Sequence, residues 1–112
     1  GILIDFRTNM EGERFDTDKE VVIYRAACEF INNGMKHSGA SRIEIELRRD
    51  QKIITLQYLD NGRGFDMEKL SSEETVGMGI PNIETRVRSV DGVFVIESAR
   101  GKGTSALIKV DQ

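Results

Sequence analysis

Hydrophobic and polar residues alternate along five stretches of the chain, and a period of two is typical of β-strands with one buried face. The alternation is weak over residues 2–7 and clear over residues 42–49, and it resumes over residues 53–59 after a polar turn. Residues 93–98 and 105–110 form a second pair around a glycine-containing turn. The pattern predicts two antiparallel hairpins and one further strand, and it places Asp60 at a sheet edge beside flexible backbone.

A long helix is predicted between the first strand and the first hairpin. Asp16 or Thr17 supplies its N-cap, with Glu20 as the capping-box partner of Thr17, and the helix runs to about residue 38. Apolar residues recur in it at 3-4-3-4 spacing, so we expect their face to be turned to the core. They are Tyr24, Ala27, Cys28, Ile31 and Met35.

The opposite side of this helix gathers polar groups of complementary chemistry. At 100° per residue, a sector of about 100° holds Glu29, Asn33, Lys36 and His37. A solvated helix face is the ordinary interpretation of such a sector. Residues 32–34, Asn-Asn-Gly, are poor helix formers in mid-helix, and a local violation of propensity of this kind indicates a functional role.

The segment after the first hairpin predicts a loop and a second helix. Residues 67–76 are polar and acidic, so we expect a connecting loop with one helical turn. The helix follows over about residues 81–90, with proline at a permitted early position. The predicted order is β-α-β-β-loop-α-β-β, and the fold class is α+β.

Composition and charge narrow the class of protein. With 112 residues, 38% hydrophobic and 31% charged, the chain is expected to form one soluble domain. Its net charge of −3 gives no support for nucleic-acid binding. Arg86, Arg88, Arg100 and Lys102 are scattered and predict solvated surface. The single cysteine, Cys28, predicts a buried, inert thiol in a reduced cytosolic compartment.

The ends of the sequence bear on where the protein works. No apolar run approaches the roughly 20 residues that span a bilayer, and the first residues lack the charged-then-apolar layout of a signal peptide. Because the sequence begins at Gly1 and its first residues already predict a strand, we expect a piece of a longer protein. A cytoplasmic domain is predicted, and a membrane anchor in the longer protein stays open.

Three glycine-containing segments carry the candidate chemistry. The first is Asp60-Asn61-Gly62-Arg63-Gly64-Phe65, which by itself is also compatible with an ordinary turn. An ionised Asp60 only accepts hydrogen bonds and suits the adenine amino group, while glycines let a base approach the backbone. Asn33 offers the hard oxygen that Mg²⁺ prefers, and Lys36 can neutralise phosphate charge. The glycines before the second helix lie at an N-terminus suited to phosphate.

Together these segments resemble the ATP-binding domain of bacterial sensor histidine kinases. Its N, G1, G2 and final glycine boxes correspond in order to Glu29-x-x-x-Asn33-x-x-Lys36-His37, Asp60-x-Gly62-x-Gly64-Phe65, Gly77-x-Gly79-Ile80 and Gly101-x-Gly103-Thr104. The resemblance covers almost the whole chain. It implies a Bergerat (GHKL) fold, a two-layer α/β sandwich with a mixed, mostly antiparallel sheet covered on one face by helices. The first N-box residue and the short lid resemble the branch of nitrate/nitrite sensors.

The resemblance also implies the ligands and the residues that bind them. The cofactors are ATP and Mg²⁺, with Asn33 as the metal ligand, Asp60 holding adenine and Thr104 assisting through water. The loop that contains Gly77 and Gly79 closes over the phosphates, and Asn82 and Arg86 match further positions of the branch. The implied nucleotide-binding residues are Asn33, Lys36, His37, Asp60, Gly62, Gly64, Gly77, Met78, Gly79, Ile80 and Thr104.

The reaction implied is phosphorylation of a histidine on the dimerisation helices of the parent kinase, followed by transfer to a response-regulator aspartate. His37 matches a nucleotide-pocket position, so the phosphoacceptor lies outside this segment, and the isolated domain is expected to be monomeric. Glu29 is the implied catalytic residue: many histidine kinases carry Asn there and related ATPases carry a Glu that activates water, so Glu29 would either deprotonate water or orient a histidine acceptor. An ATPase clamp or nucleotide-gated interaction module, and a serine kinase of the anti-sigma-factor type, therefore stay open as alternatives.

Overall fold

The computed structural model describes residues 1–10, 12–36, 39–69 and 79–111. Within them, strands and helices follow one another in the order predicted from the sequence, with a short 3₁₀ turn at Met67–Lys69 inside the predicted loop. The elements are β1 (Leu3–Thr8), α1 (Thr17–Lys36), β2 (Arg42–Asp50), β3 (Ile53–Asp60), α2 (Ile80–Ser89), β4 (Val93–Ser98) and β5 (Thr104–Asp111). Within these described residues, neither helix is long and apolar enough to cross a membrane.

The five strands form one mixed sheet in the order β1-β2-β3-β5-β4. Strand β1 runs parallel to β2, and every other neighbouring pair is antiparallel. The predicted fold class is confirmed. One detail differs, because β3 is the central strand and not an edge strand. Asp60 therefore lies at one end of the sheet between two neighbours, paired with Ile43 on β2 and with Thr104 on β5.

The core lies between one face of the sheet and the two helices. The inward residues of β2, β3 and β5 alternate with outward, mostly polar ones, as the period of two predicts. From the helices, Ile23 and Phe30 of α1 and Ile83 and Val87 of α2 are at most 4% exposed. The inward strand residues that are fully buried are Ile43, Ile45, Ile54, Leu56, Tyr58, Ala106, Ile108 and Val110.

The buried face of α1 is not the one that the apolar spacing predicts. Tyr24 and Met35 are 71% and 50% exposed, and Cys28 is exposed as well, so the expectation of a buried, inert thiol is also wrong. Val22, Ile23, Ala26, Phe30 and Gly34 face the core instead, a stripe rotated by roughly 130° from the predicted one. The helix has two apolar stripes, and only one can face the sheet. The stripe that contains Phe30 packs on the sheet because the Phe30 ring stacks on Tyr58, with ring centroids 5.1 Å apart.

Of the two N-caps predicted for α1, the structure has Asp16 and not Thr17, so the predicted capping box between Thr17 and Glu20 is not formed. The Asp16 carboxylate accepts the backbone N–H of Asp18 at 3.1 Å, which makes Asp16 the capping side chain. Glu20 accepts the N–H of Phe15 at 3.1 Å and two guanidinium N–H groups of Arg14 at 2.7 Å. These bonds, with the Arg14 side chain contributing most, lower the pKa of the Glu20 carboxyl. Glu20 thus fastens the preceding loop and has no capping role.

Candidate functional site

The carboxylate of Asp60 is held at the end of β3 by donors from three directions. Its Oδ1 atom accepts the backbone N–H groups of Gly62, at 2.9 Å, and Thr104, at 3.2 Å. Its Oδ2 atom accepts the hydroxyl of Tyr58 at 2.5 Å. All three partners donate, so the half-buried carboxylate has a fixed orientation and presents its remaining lone pairs only as acceptors. Sequence reasoning predicted Asp60, Gly62 and Thr104, and the structure brings these three together.

Tyr58 is a residue of the site that sequence reasoning missed. It is 2% exposed, and burial, together with the hydrogen bond to Asp60, raises the pKa of its phenol above the ordinary value. A signal was available, because Tyr58 and Asp60 are two residues apart on one strand and so share a face. A hydroxyl on the inward face of a strand needs a partner, and the nearest polar position along that face is Asp60.

Because of this raised pKa, we expect the wild-type protein to lose stability at alkaline pH, and Tyr58→Phe to lose less of it. The unfolded phenol ionises near its ordinary pKa of 10.0, whereas the folded phenol keeps its proton to higher pH. The contribution of the Tyr58 hydroxyl to the free energy of unfolding is therefore complete below about pH 10. It is lost as pH rises above that value, by at most about 1.4 kcal/mol per pH unit. Urea unfolding between about pH 8 and pH 11 measures the difference between the two proteins. Tyr24→Phe, the same change at an exposed site, should behave as wild type; equal curves for all three proteins would contradict the prediction.

The glycine-containing turn after Asp60 is tied to two neighbouring connections. Asn61 Oδ1 accepts the N–H groups of Ser41 and Arg42, each at 3.0 Å, and Asn61 Nδ2 donates to Ser41 Oγ at 2.9 Å. On the other side, Ser98 Oγ accepts the N–H of Phe65 at 2.8 Å and lies 3.0 Å from Thr104 Oγ1. Neither Asn61 nor Ser98 was singled out from the sequence. These bonds fix the position of the turn relative to both connections.

A second group of predicted residues meets where α1 passes the start of α2. Gly79 caps α2 with a left-handed φ of 70°, and Ile80 behind it is buried in the core. The Glu29 carboxylate packs against Gly79, because a Cβ atom on that glycine would lie only 2.8 Å from Glu29 Oε2. The N-terminal end of a helix carries positive partial charge, so this position suits a carboxylate or a phosphate.

The remaining predicted residues differ in burial, and some lie outside the described residues. Asn33 is half-buried on α1, with its Oδ1 atom fully buried, and Lys36 is exposed in the last turn of the helix. Gly64 is half-buried and packs close to the carbonyl groups of Ala99 and Gly103. No group of three or more His, Cys, Asp or Glu side chains that could hold a metal occurs in the described ranges. His37, Gly77 and Met78 lie outside the described residues, as does most of the predicted loop.

The fold and this site define a class of protein. Residues 18–112 match the family model described as histidine kinase-, DNA gyrase B-, and HSP90-like ATPase. Because the match covers most of the chain, this protein belongs to that family of ATP-binding domains.

Two related proteins found by sequence are histidine kinases of Bacillus subtilis. The chain is 38% identical to the sensor histidine kinase ComP of Bacillus subtilis over 96% of its length, and this covers 14% of ComP. It is 31% identical to the signal transduction histidine-protein kinase/phosphatase DegS of the same bacterium, over 89% of the chain and 26% of DegS. The chain thus spans about a quarter or less of either relative. The domain is ComP- and DegS-like, which replaces the predicted likeness to nitrate/nitrite sensors.

Solved structures share the fold at low sequence identity. The catalytic domain of histidine kinase ThkA superposes with a TM-score of 0.77 at 18% identity, over 98% of this chain and 78% of that one. Full-length ShkA, whose structure is a complex with AMPPNP, gives 0.73 at 14% identity over 98% of this chain and 25% of ShkA. The two-layer Bergerat sandwich predicted from the sequence is therefore confirmed.

Proposed function

We propose that this domain binds Mg-ATP and donates the γ-phosphoryl group to a histidine on the dimerisation helices of its parent sensor kinase. The phosphohistidine would then pass its phosphoryl group to an aspartate of a response regulator. Family membership and the likeness to the histidine kinases ComP and DegS support the kinase assignment. In the parent protein the two dimerisation segments would form a homodimer that presents the acceptor histidine.

The observation that carries the proposal is the acceptor geometry of Asp60. A carboxylate that receives hydrogen bonds from Tyr58, Gly62 and Thr104 presents only acceptor positions to a ligand. The exocyclic amino group of adenine is a donor and satisfies them, whereas a carbonyl at the same ring position does not. ATP is therefore the nucleotide that suits this wall of the site.

The side chains of α1 are suited to the phosphate end of the nucleotide. The amide oxygen of Asn33 is a hard ligand of the type that Mg²⁺ accepts, and its buried position one turn along α1 from Glu29 fits a metal held mainly by phosphate oxygens and water. Bound Mg²⁺ would neutralise phosphate charge. Lys36 lies one turn further along the same helix and would contribute a second positive charge.

Removing the amide of Asn33 should remove most of the Mg²⁺ dependence of ATP binding. Calorimetry of the 112-residue chain with ATP, with Mg²⁺ and with EDTA, measures that dependence up to millimolar nucleotide. We expect Asn33→Ala to weaken Mg-ATP binding about tenfold, as for loss of a ligand to a charged group, with little effect on metal-free ATP. Asn32→Ala makes the same change at an exposed neighbour and should bind as wild type. Equal Mg²⁺ dependence in all three proteins would exclude Asn33 as the ligand.

Glu29 has two possible tasks at the reacting phosphate. In phosphotransfer, an imidazole nitrogen attacks the γ-phosphorus in line as the bond to the bridging oxygen breaks, and ADP leaves with that electron pair. Glu29 would hold and orient the imidazole by accepting its other N–H. In hydrolysis, Glu29 would instead take a proton from the attacking water. The position of Glu29 beside Gly79, at the start of α2, favours neither task over the other and keeps an ATPase clamp as the second candidate.

Replacing Glu29 by Gln separates the two tasks. We expect γ-labelled ATP to give an acid-labile, base-stable label on the dimerisation helices of the parent kinase supplied in trans, with about 100-fold slower labelling by Glu29→Gln. Glu97→Gln, the same change at an exposed residue of β4, serves as the control. Steady phosphate release that Glu29→Gln abolishes, with no labelled histidine, would identify an ATPase instead.

A further inference from the structure

The two oxygens of Asp60 are held by donors of different origin. Backbone N–H groups of Gly62 and Thr104 hold Oδ1, and they follow from the turn and from the pairing of β3 with β5. Oδ2 is held by a side chain, the hydroxyl of Tyr58. The orientation of the carboxylate therefore depends on the residue type at position 58 as well as on the fold.

The hydroxyl of Tyr58 reaches Oδ2 through a space that α1 leaves open. The ring of Tyr58 is stacked on Phe30 at an interplanar angle of 25°, which fixes where its hydroxyl points. A Cβ atom on Gly34 would collide with that hydroxyl and would lie 2.7 Å from Ile43 Cδ1. Alanine would be the better helix former at an interior helical position. The glycine therefore makes room for Tyr58 at a cost in helix propensity.

We propose that Tyr58 is a positioning residue that sets the preference of Asp60 for adenine, and that Gly34 is required to admit its hydroxyl. The inference rests on the proposed function and deepens it, because it names what orients the base-reading group. With Tyr58 in place, Oδ2 has a fixed direction and the whole carboxylate only accepts. Without the hydroxyl, Oδ2 gains freedom to rotate and to bind water, so its hydrogen bond to an amino group becomes weaker. A nucleotide that makes no such bond should lose nothing.

Affinities for two nucleotides test the role of Tyr58. ITP carries a carbonyl where ATP carries the amino group and an N1–H where adenine has a bare N1, so it shares the ribose and phosphate contacts of ATP but lacks the amino-group bond to Asp60. We expect Tyr58→Phe to weaken Mg-ATP binding about fivefold, the loss typical of one hydrogen bond, and to change Mg-ITP binding by less than about twofold. Thermal unfolding of the same samples shows whether the fold is retained. Tyr24→Phe, at an exposed tyrosine, should leave both affinities unchanged.

Gly34→Ala tests the second half of the proposal through a double-mutant cycle. In the wild-type background the added methyl displaces the Tyr58 hydroxyl, so the ratio of ATP to ITP affinity should fall about fivefold. In the Tyr58→Phe background no hydroxyl is left to displace, and the same substitution should leave the ratio within about twofold. A purely structural effect of the methyl would lower both affinities in both backgrounds.

The outcomes separate this inference from the proposed function. A selective loss of ATP affinity in Tyr58→Phe supports the inference. Two results overturn the inference alone. One is a parallel loss of ATP and ITP affinity in Tyr58→Phe. The other is an unchanged ratio of ATP to ITP affinity in Tyr58→Phe when Asp60→Asn does lose the preference for ATP. A wild-type chain that binds neither nucleotide at millimolar concentration overturns the proposed function and this inference together.

Discussion

Replacing Asp60 by Asn should weaken ATP binding by the chain about 10- to 100-fold, the loss expected for a hydrogen bond to a charged group. Asparagine has almost the shape of aspartate and can keep the backbone bonds to Gly62 and Thr104 through its oxygen. Its amide nitrogen must then replace Oδ2, so a donor would face the adenine amino group. The change therefore converts an attraction into a repulsion with little change in volume. Calorimetry with Mg-ATP measures the loss.

Asp50→Asn is the matched control for this prediction. Asp50 ends β2 at the opposite end of the sheet from Asp60, is exposed, and undergoes the same chemical change. Its ATP affinity should equal that of wild type, and thermal unfolding of both variants shows whether the fold is retained. An Asp60→Asn protein that binds ATP as tightly as the Asp50→Asn protein would show that Asp60 does not contact the base.

Gly103→Ala should lower the melting temperature by about 15 °C, an effect of about 3 kcal/mol on a domain of this size. Gly103 has a φ of 78°, in the left-handed region where an L side chain is strained. A Cβ atom there would also collide with the carbonyl oxygen of Asp60 and lie 3.2 Å from the Cα atom of Asn61. Because both neighbours are backbone atoms, the strands themselves must move. Differential scanning calorimetry gives the shift.

Gly101→Ala separates the collision from the backbone strain. Gly101 lies in the same turn with a nearly identical φ of 79°, and nothing is within 4 Å of its would-be Cβ atom. Only the strain remains, so we expect a loss of about 1 kcal/mol. The difference between the two variants is the cost of separating Gly103 from Asp60. If both variants melted at the same temperature, close approach of these backbones would contribute nothing to stability.

Most of the fold could be predicted from the sequence because its signals are local. The side chains of β2 and β3 alternate with a period of two, and the turn between them is polar, so both strands and their antiparallel pairing were predicted to within a residue or two. The glycine-containing segments were found in the same way. The strand order was not derivable from these signals, because pairing of β3 with β5 joins residues far apart in the sequence.

The face that α1 buries shows where local pattern fails. The predicted stripe contains Tyr24 and Met35, and the observed one contains Ile23 and Phe30. Both stripes satisfy helical spacing, so the spacing alone cannot choose between them. The choice depends on packing against the sheet. The ring of Tyr58 stacks on Phe30, and Gly34 leaves space for the Tyr58 hydroxyl.

By itself, the sequence determined the elements, their order, the family resemblance and the residue types able to bind a nucleotide, since each of these depends on neighbours within a few positions. The tertiary structure alone decided which of those residues meet. It joined Asp60 to Thr104, and it set Glu29 against Gly79. Such contacts depend on which strands pair and which helix face packs, and these are properties of the whole folded chain.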